Sequence, residues 1–314
     1  MPLSTYDELG SGIQRAAGSI REDLLDFIEN VSPTDTPLYN NLGQIKVDAG
    51  FVEFLEDTLP ASAVNAFTEG AAATDVTNTT PSRNFAIVQN FQKHYWVSGR
   101  QQAVVHAGLT NMLSYQEMKN LKVFKRDIEL ALHRGSAVSG TNAVAPQMAG
   151  MLNLLTTNFT TVASGVTLTE RIYNDILSLT YRTPVNIRET YANMQIKRTI
   201  NGFSTNTQRF LPSTDRKAIN IVDVYESEVG IQAIFKSRDQ LQATTIGSIG
   251  NSFIAIDPDY FNVGWLRPAV GRELGLDGDR VRKMLVGELT LIARTEKGGC
   301  GGANFVANVS GAGA

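Results

Sequence analysis

The clearest pattern in the chain is a helical one that runs from Asn111 to Arg134 without a proline or a glycine. Apolar and small side chains recur there at intervals of three and four residues, which is the spacing of one helix face. The members of this stripe are Ser114, Met118, Leu121, Phe124 or Lys125, Ile128 and Leu132. A helix of this length is a rod of roughly 35 Å. Gly135 is predicted to end it as a C′ residue, and Lys125 and Glu129 are spaced for an ion pair.

Further helices are predicted on either side of this one. Residues 20–30 form a short helical pattern, which stops at the segment Ser32-Pro-Thr-Asp-Thr-Pro37 because two prolines force extended or turn backbone there. We interpret that segment as a strap that crosses a surface. Thr167 and Glu170 have the spacing of a capping box for a helix from about Leu168. Its buried face would contain Ile172, Ile176 and Leu179, and a last helix is predicted over residues 191–203.

Strand patterns occur before and after the long helix. Residues 46–58 and 84–98 have strand character, and the second places Phe85, Ile87, Phe91, Tyr95 and Val97 on one face by period two. The piece between them, 59–83, is rich in Ala, Thr and Asn and cannot bury enough apolar surface to fold by itself. Together these segments predict a projecting β-hairpin arm that orders against a partner.

The C-terminal half is dominated by strand patterns. A hairpin is predicted from residues 218–225 and 229–236, joined at Glu226-Ser227-Glu228. The remaining predicted strands are 252–256, 260–266 and 280–296, followed by the tract Gly298-Gly-Cys-Gly-Gly302. No repeat of 20–50 residues is present, which excludes a solenoid or a propeller.

The charged residues add to this description of the elements, because acidic and basic side chains are concentrated in different parts of the chain. The chain has 28 Lys and Arg against 31 Asp and Glu, a formal net charge of −3, with 42% hydrophobic residues. Residues 1–80 contain 13 acidic and 3 basic side chains, whereas residues 81–200 contain 13 basic and 6 acidic ones. Chance clustering and a nucleic-acid groove are the alternatives, but the basic region lacks the density and the interleaved aromatics of a groove. We favour an acidic segment that lies on a basic one, within a subunit or between copies.

The residues of catalytic and metal chemistry are scarce. The three histidines, His94, His106 and His133, are scattered, and the single Cys300 excludes an intrachain disulfide or a cysteine-based zinc cluster. His133 is interpreted as a favourable charge at the end of the long helix. Cys300 is expected to be a free, exposed thiol, and Asp257 and Asp259 to be solvated loop charges. Nucleotide-binding and nucleophile motifs are missing, so we predict no enzyme, no cofactor and no metal.

Targeting signals are also missing from the sequence. The first twenty residues lack a basic start followed by an apolar run, and no apolar stretch approaches the roughly 18 residues of a membrane span. We therefore expect synthesis in the cytoplasm and no membrane partner.

Several short motifs, in this order, resemble the major capsid proteins of tailed bacteriophages, which have the HK97-like fold. They are Ile28–Leu38 (IENVSPTDTPL), Val97–Gln101 (VSGRQ), Lys125–Glu129 (KRDIE), Gly278-Asp279, Lys283 and Glu288–Leu291 (ELTL). The resemblance covers residues 20–300. It implies an α+β fold, and its expected parts are an N-terminal arm (1–45), an extended β-hairpin loop (46–98), a peripheral domain (99–167) with a spine helix at 111–135, an axial domain (168–265) and a return to the peripheral domain (266–314).

The function implied by the resemblance is assembly, as a structural protein of the virion. Hexamers and pentamers would form an icosahedral capsid around packaged double-stranded DNA, with non-specific contacts to that DNA. A portal, and separate scaffolding or decoration proteins, are the other expected partners, because about 45 residues before the extended loop are too few for a fused scaffold. The rival interpretations are an encapsulin-like nanocompartment shell, a phage tail or adhesion protein, and an enzyme with an unrecognised site.

The charge distribution suggests which residues meet between subunits. We hypothesise that Glu53, Glu56 and Asp57 of the extended loop face basic groups of a neighbouring copy. The candidate basic groups are Lys119, Lys122 and Arg126 of the long helix.

Overall fold

The computed structural model describes most of the chain from Thr34 onwards. The described residues are 34–72, 80–104, 109, 111–163, 166–183, 185–203, 223–227, 230–236, 241, 251–275 and 278–306. The predicted helix at 20–30 and the first part of the strap lie outside these residues.

The described chain contains both helices and strands. The helices are α1 (Pro37–Asn41), α2 (Gly99–Ala103), α3 (Met112–Arg134), α4 (Met151–Leu154), α5 (Glu170–Ser178) and α6 (Met194–Phe203). The strands are β1 (Gly43–Lys46), β2 (Phe51–Glu56), β3 (Ser82–Ile87), β4 (Gln89–Ser98), β5 (Phe159–Thr161), β6 (Glu189–Ala192), β7 (Val224–Ser227), β8 (Gly230–Lys236), β9 (Asn251–Ile256), β10 (Phe261–Leu274), β11 (Arg280–Ala293) and β12 (Gly299–Phe305). They form a four-stranded sheet of order β1-β10-β11-β4, a six-stranded sheet of order β5-β12-β9-β6-β8-β7, and the β2-β3 hairpin.

The predicted long helix is confirmed as α3, which packs on one face of the four-stranded sheet. The Asn111 side chain caps it by accepting hydrogen bonds from two backbone N–H groups of the first turn. Phe124, Ile128 and Leu132 of the predicted stripe are fully buried in the main core. The first half of the stripe is different, because Met118 is 65% exposed. The apolar stripe of α3 therefore continues beyond what its own subunit covers.

Two predicted details of the α3 C-terminal half are wrong. Gly135 ends the helix with a φ of −51°, so it is not a left-handed C′ residue. Glycine is needed there because a Cβ atom would lie 2.4 Å from the carbonyl oxygen of Met148. The predicted pair of Lys125 with Glu129 is absent too, since Glu129 is buried against the strap and Lys125 lines a surface groove.

One buried carboxylate attaches the strap to α3. Glu129 accepts hydrogen bonds from the backbone N–H groups of Leu38 and Tyr39, each at 2.9 Å. These groups belong to the first turn of α1, which gets no capping bond from the side chain of Thr36. The Nε2 atom of His133 lies 3.3 Å from the same carboxylate, and both side chains are fully buried. His133 is thus in the last turn of α3, as predicted, but it contacts a carboxylate rather than capping the helix end.

The same region connects the two sheets. The Tyr191 hydroxyl on β6 accepts a hydrogen bond from the Asn41 amide at 3.0 Å and donates one to Glu189 at 2.6 Å. The His133 ring packs edge-on against the Tyr191 ring, at 6.1 Å between centroids. Burial raises the pKa of the Tyr191 hydroxyl, so it stays a neutral donor. The strap, the long helix and the six-stranded sheet therefore meet at one polar cluster.

The helices of the six-stranded sheet begin two or three residues after the predicted starts. Thr169, rather than Thr167, caps α5 by accepting a hydrogen bond from the N–H of Ile172. Residues 191 and 192 belong to β6, and Asn193 caps α6 through a 2.9 Å bond from the Ile196 N–H. β7 and β8 pair antiparallel as predicted, but residues 226 and 227 extend the first strand instead of forming the turn. Residues 218–222 of the predicted first strand lie outside the described residues.

The glycine tract near the C-terminus is a buried strand, which corrects the exposed Cys300 that the sequence predicts. β12 lies between β5 and β9, and Cys300 is fully buried. A Cβ atom at Gly301 would lie 2.9 Å from the carbonyl oxygen of Phe253, so the glycines allow close packing. A local sequence window cannot distinguish this use of glycine from a loop.

Strand pairing also differs from the expected domain boundaries. The segment 84–98 is split: β3 belongs to the hairpin, whereas β4 pairs with β11 in the four-stranded sheet. β12 lies in the six-stranded sheet, although the expected division assigns residues 266–314 to the peripheral domain. The division by domains therefore stays a proposal, with β4 and β12 in these sheets.

The Glu129 attachment gives a stability prediction. Glu129→Ala leaves the N–H groups of Leu38 and Tyr39 without their acceptor and removes the carboxylate beside His133. We expect a loss of about 3 kcal/mol in the free energy of unfolding. Asp127→Ala is the matched control, because its bond to Lys93 is partly exposed and worth about 1 kcal/mol or less. Urea denaturation of the unassembled subunit measures both. Equal losses would contradict the attachment.

Burial of Cys300 gives a reactivity prediction. Burial raises the pKa of its thiol to about 12, so the reactive thiolate is scarce between pH 7 and 9. We expect slow maleimide labelling of the folded chain across that pH range and fast labelling after unfolding in urea. Fast labelling of the folded chain would show that the thiol is exposed after all.

Candidate assembly surfaces

The β2-β3 hairpin has one covered face and one open face. On the covered face, Val52 and Phe54 pack with Val47, Val88 and Ile292 of the body. The open face has three large apolar side chains that are more than half exposed. They are Phe51 at 52%, Leu55 at 67% and Phe85 at 60%. Beyond the paired strands, Leu59, Val64 and Phe67 are 94%, 94% and 69% exposed. A cluster of exposed large apolar side chains, as on the open face of the hairpin, is typical of a protein interface.

The acidic residues proposed from the sequence have different surroundings on this hairpin. Glu53 forms a salt bridge of 3.2 Å with Arg83 of the paired strand. Glu56 accepts hydrogen bonds from the Asn84 amide at 2.8 Å and from the Thr295 hydroxyl at 2.7 Å. Asp57 is exposed. Glu56 therefore attaches the hairpin to its own body, which leaves Glu53 and Asp57 as the better candidates for contacts with another copy.

The proposed basic residues lie on α3, away from the hairpin base. Lys119 and Lys122 are exposed, and Arg126 is half-buried. The hairpin base packs on Ile292, whose side chain is on the sheet face opposite α3. Within one subunit the four-stranded sheet thus separates the base of the acidic hairpin from these cations. A contact between the two sets, as hypothesised, would have to involve different copies.

The four-stranded sheet has an open face that sequence reasoning missed. Its other face is covered by α3, with Phe91 and Tyr95 of β4 buried and the Lys93–Asp127 and Lys283–Glu117 pairs at 2.8 and 3.2 Å. The alternate residues of β4 point away from α3, and cross-strand pairing extends them across β11 and β10. The resulting rows are Trp96–Arg282–Leu274, His94–Met284–Arg272 and Gln92–Val286–Val270. We call these rows the outer sheet face.

The outer sheet face combines apolar and cationic side chains. Trp96 is 55% exposed and Val270 is 48% exposed, and Arg272 is also exposed. The guanidinium of Arg280 lies 5.8 Å from the centre of the Trp96 ring, within cation–π range. The alternation of polar and apolar residues in 92–98 was the available signal, but the cross-strand rows require the register of β10 and β11.

A second open surface is a groove beside α3, with a volume of about 570 Å³. It lies between α1, β1, α3 and β10, and Lys46 and Lys125 stand among otherwise mostly apolar lining residues. The apolar lining includes Tyr39, Ile45, Leu121, Phe124, Trp265 and Pro268. We call it the spine-helix groove. Leu121, Phe124 and Ile128 of the α3 stripe line the groove, whereas the exposed Met118 does not.

The polar clusters of the described chain stabilise structure. Asp257, expected in a solvated loop, is 5% exposed and accepts a 2.6 Å hydrogen bond from Arg188, which also pairs with Asp259. The bond to Asp257 is the main cause of the raised pKa of Arg188. No group of three His, Cys, Asp or Glu side chains among the described residues could hold a metal ion. No described helix is long and apolar enough to cross a membrane.

The hairpin, the long helix on one sheet and the second sheet together form the HK97-like fold of capsid shell proteins. A model of the SU10 major capsid protein family matches residues 5–304. The chain belongs to this family of major capsid proteins, and it is a structural shell subunit of a virion rather than an enzyme. No curated protein matches the sequence.

Solved structures support the fold at low sequence identity. The capsid protein of cyanophage A-1(L) is 11% identical, with a TM-score of 0.67, and the match covers 91% of this chain and 97% of that one. The capsid protein of an empty GTA particle is 12% identical, with a TM-score of 0.65 and coverage of 91% and 96%. The SrpI encapsulin of Synechococcus elongatus PCC 7942 is 11% identical, with a TM-score of 0.58 and coverage of 98% of both chains.

The Glu56 contacts give a prediction about the hairpin. Glu56→Ala removes the hydrogen bonds to Asn84 and Thr295, so we expect faster amide hydrogen exchange in β2 and β3 and unchanged exchange in β4. Asp57→Ala is the control, since the described contact of Asp57 is with the adjacent Thr58 N–H. Equal exchange in both variants would show that Glu56 does not hold the hairpin on its body.

Proposed function

We propose that the chain forms the hexamers and pentamers of an icosahedral capsid that encloses packaged double-stranded DNA. The observation that carries the proposal is the hairpin, whose open face exposes Phe51, Leu55 and Phe85 to solvent in the isolated subunit. Burial of such a surface on another copy would stabilise the assembly by the hydrophobic effect. Membership of a major capsid protein family supports the same conclusion.

Assembly and order of the hairpin are coupled in this proposal. The segment beyond the paired strands exposes Leu59 and Val64 almost completely, so it gains little from its own subunit. Contact with a neighbour would offset the entropy of ordering it. Many such contacts in a closed shell add up, and no single one needs high affinity. We also propose a portal, separate scaffolding or decoration proteins, and non-specific contacts with the packaged DNA as further partners.

The nanocompartment is the second candidate function, and one observation favours it. The encapsulin match covers a larger share of this chain than the cyanophage and GTA matches do. The fold is shared by both kinds of shell, so the difference is the cargo. A shell around DNA and a shell around a protein cargo are distinguished by their contents.

Electron microscopy of particles that contain this chain, purified from a producing lysate, tests the proposal. We expect angular shells whose DNA resists added nuclease until the shells are opened. Shells filled with protein would support the nanocompartment, and tubes would support a tail protein. A chain that stays monomeric in such lysates would contradict every assembly function.

The acidic residues of the hairpin give a prediction for assembly. Glu53→Lys and Asp57→Lys should each lower the yield of shells and make the yield less sensitive to salt, because an attractive charge contact becomes repulsive. Light scattering against NaCl concentration measures this. Lys119, Lys122 and Arg126 of a neighbour are one candidate receiving surface, and the outer sheet face is the other. An unchanged yield and salt dependence would show that the hairpin acids do not contribute.

A further inference from the structure

The exposed face of α3 carries a row of lysines whose charge the subunit leaves uncompensated. Lys119, Lys122 and Lys125 follow one another at intervals of three residues, and all three are exposed. Within the described part of the chain, none of them forms an ion pair with an acidic side chain. Residues three apart are neighbours on a helix surface, so these like charges repel one another. We call this set the lysine row.

The acidic residues of α3 are placed in the opposite way. The helix has three of them, and each bonds to a group of its own subunit. Glu117 pairs with Lys283 of β11 at 3.2 Å. Asp127 pairs with Lys93 of β4 at 2.8 Å, and Glu129 accepts the backbone hydrogen bonds of the strap. The carboxylates of α3 are therefore used inside the subunit, and the helix presents a net positive face to whatever lies beyond it.

The acidic hairpin is attached to the other side of the four-stranded sheet. The hairpin contains Glu53 and Asp57, and its base packs on Ile292, whose side chain is on the sheet face opposite α3. Copies in a closed single-layer shell are related by rotations, so every copy turns the same side inward. Packaged DNA is a dense polyanion, and carboxylates that line the shell would repel it. The α3 side is therefore the side suited to face the contents.

The spacing of the lysine row fits the backbone of a DNA duplex. Six residues of helix rise about 9 Å, and double-stranded DNA has about one phosphate charge per 1.7 Å of its axis. A lysine is a point charge on a flexible stem, so each member of the row can reach a phosphate without a fixed register. Contacts to phosphates carry no sequence preference, which is what the lining of a shell around packaged DNA requires.

We propose that the lysine row lines the interior of the shell and binds the phosphate backbone of the packaged double-stranded DNA. The inference rests on the proposed capsid function, and it adds the residues that contact the DNA and the side of the subunit that faces inward. The competing partner for Lys119 and Lys122 is the acidic hairpin of a neighbouring copy, which is part of the shell and stays when the DNA is removed.

Acetylation of lysines in filled and emptied shells distinguishes these partners. Filled shells from a producing lysate are compared with shells of the same preparation that have been opened by osmotic shock and treated with nuclease. A small amine-reactive acetylating reagent labels both samples, and mass spectrometry measures the labelling of each lysine. Lys93 and Lys283, which are paired within the subunit, are the internal standard.

We expect the lysine row to be labelled less in filled shells than in emptied ones, with the standard unchanged. Equal and strong labelling in both samples would show that the row is solvated, and equal protection in both would show a protein partner. Either result overturns the inference. Lysates without shells, or shells that never contain DNA, contradict the proposed function itself, so the two failures are distinguishable.

Duplex binding by the unassembled subunit gives an independent measurement. The anisotropy of a short fluorescent duplex is followed from about 50 mM NaCl upwards. The variant Lys119→Gln/Lys122→Gln/Lys125→Gln should lower the slope of log K against log salt by about 2.7, at about 0.9 for each lost phosphate contact.

The matched control is Lys119→Arg/Lys122→Arg/Lys125→Arg. It keeps the three charges, and Lys, Gln and Arg have similar helix propensities, so we expect the slope of the unaltered chain. An unchanged slope in the glutamine variant would overturn the inference. Absence of duplex binding by the unaltered subunit at about 50 mM NaCl would overturn it as well.

Discussion

The buried carboxylate of Glu129 is the interaction on which the arrangement of the subunit depends. It supplies the acceptor that the first turn of α1 lacks, and so fixes the strap on α3 at Leu38 and Tyr39. Tyr39 then packs edge-on against Trp265 of β10, at 6.4 Å between ring centroids, and β1 follows as the parallel edge strand of that sheet. A charged group is costly to bury unless its hydrogen bonds are satisfied. Because the buried carboxylate needs these hydrogen bonds, the strap is held at one position along α3 rather than in an alternative register.

The two sheets meet near the Glu129 cluster, and each is covered by different elements. The four-stranded sheet is covered by α3 on one side and by the hairpin base at Ile292 on the other, and its distal half is open. The six-stranded sheet is packed by α5 and α6 and has its own core around Tyr173 and Phe253. The surfaces available for assembly are therefore concentrated on the hairpin, the outer sheet face and the spine-helix groove. The body that presents them is held by satisfied polar contacts.

Local sequence patterns predict where the helices and strands of this fold lie. They predict less well which side chains on those elements are buried, exposed or paired with distant residues. The long helix and the hairpin follow from periodicity, because one uninterrupted stripe and two alternating segments are local signals. Glu129 has the same local pattern as a surface residue, and its partners are about 90 positions away in the chain. The outer sheet face needs the register of three strands that are distant in sequence. Cys300 was mispredicted because glycines that permit close strand packing look like loop residues in a short window.

The position of β12 has a consequence for how the subunit is made. It is the last strand of the described chain, yet it lies between β5 and β9 inside the six-stranded sheet. A ribosome must release residues 299–305 before this sheet can close, and pairing over such long separations is slow compared with helix formation. A nascent or truncated chain can form α3 and the hairpin but lacks the strand that completes the second core. The six-stranded sheet is thus completed only by a chain that has been synthesised as far as Phe305.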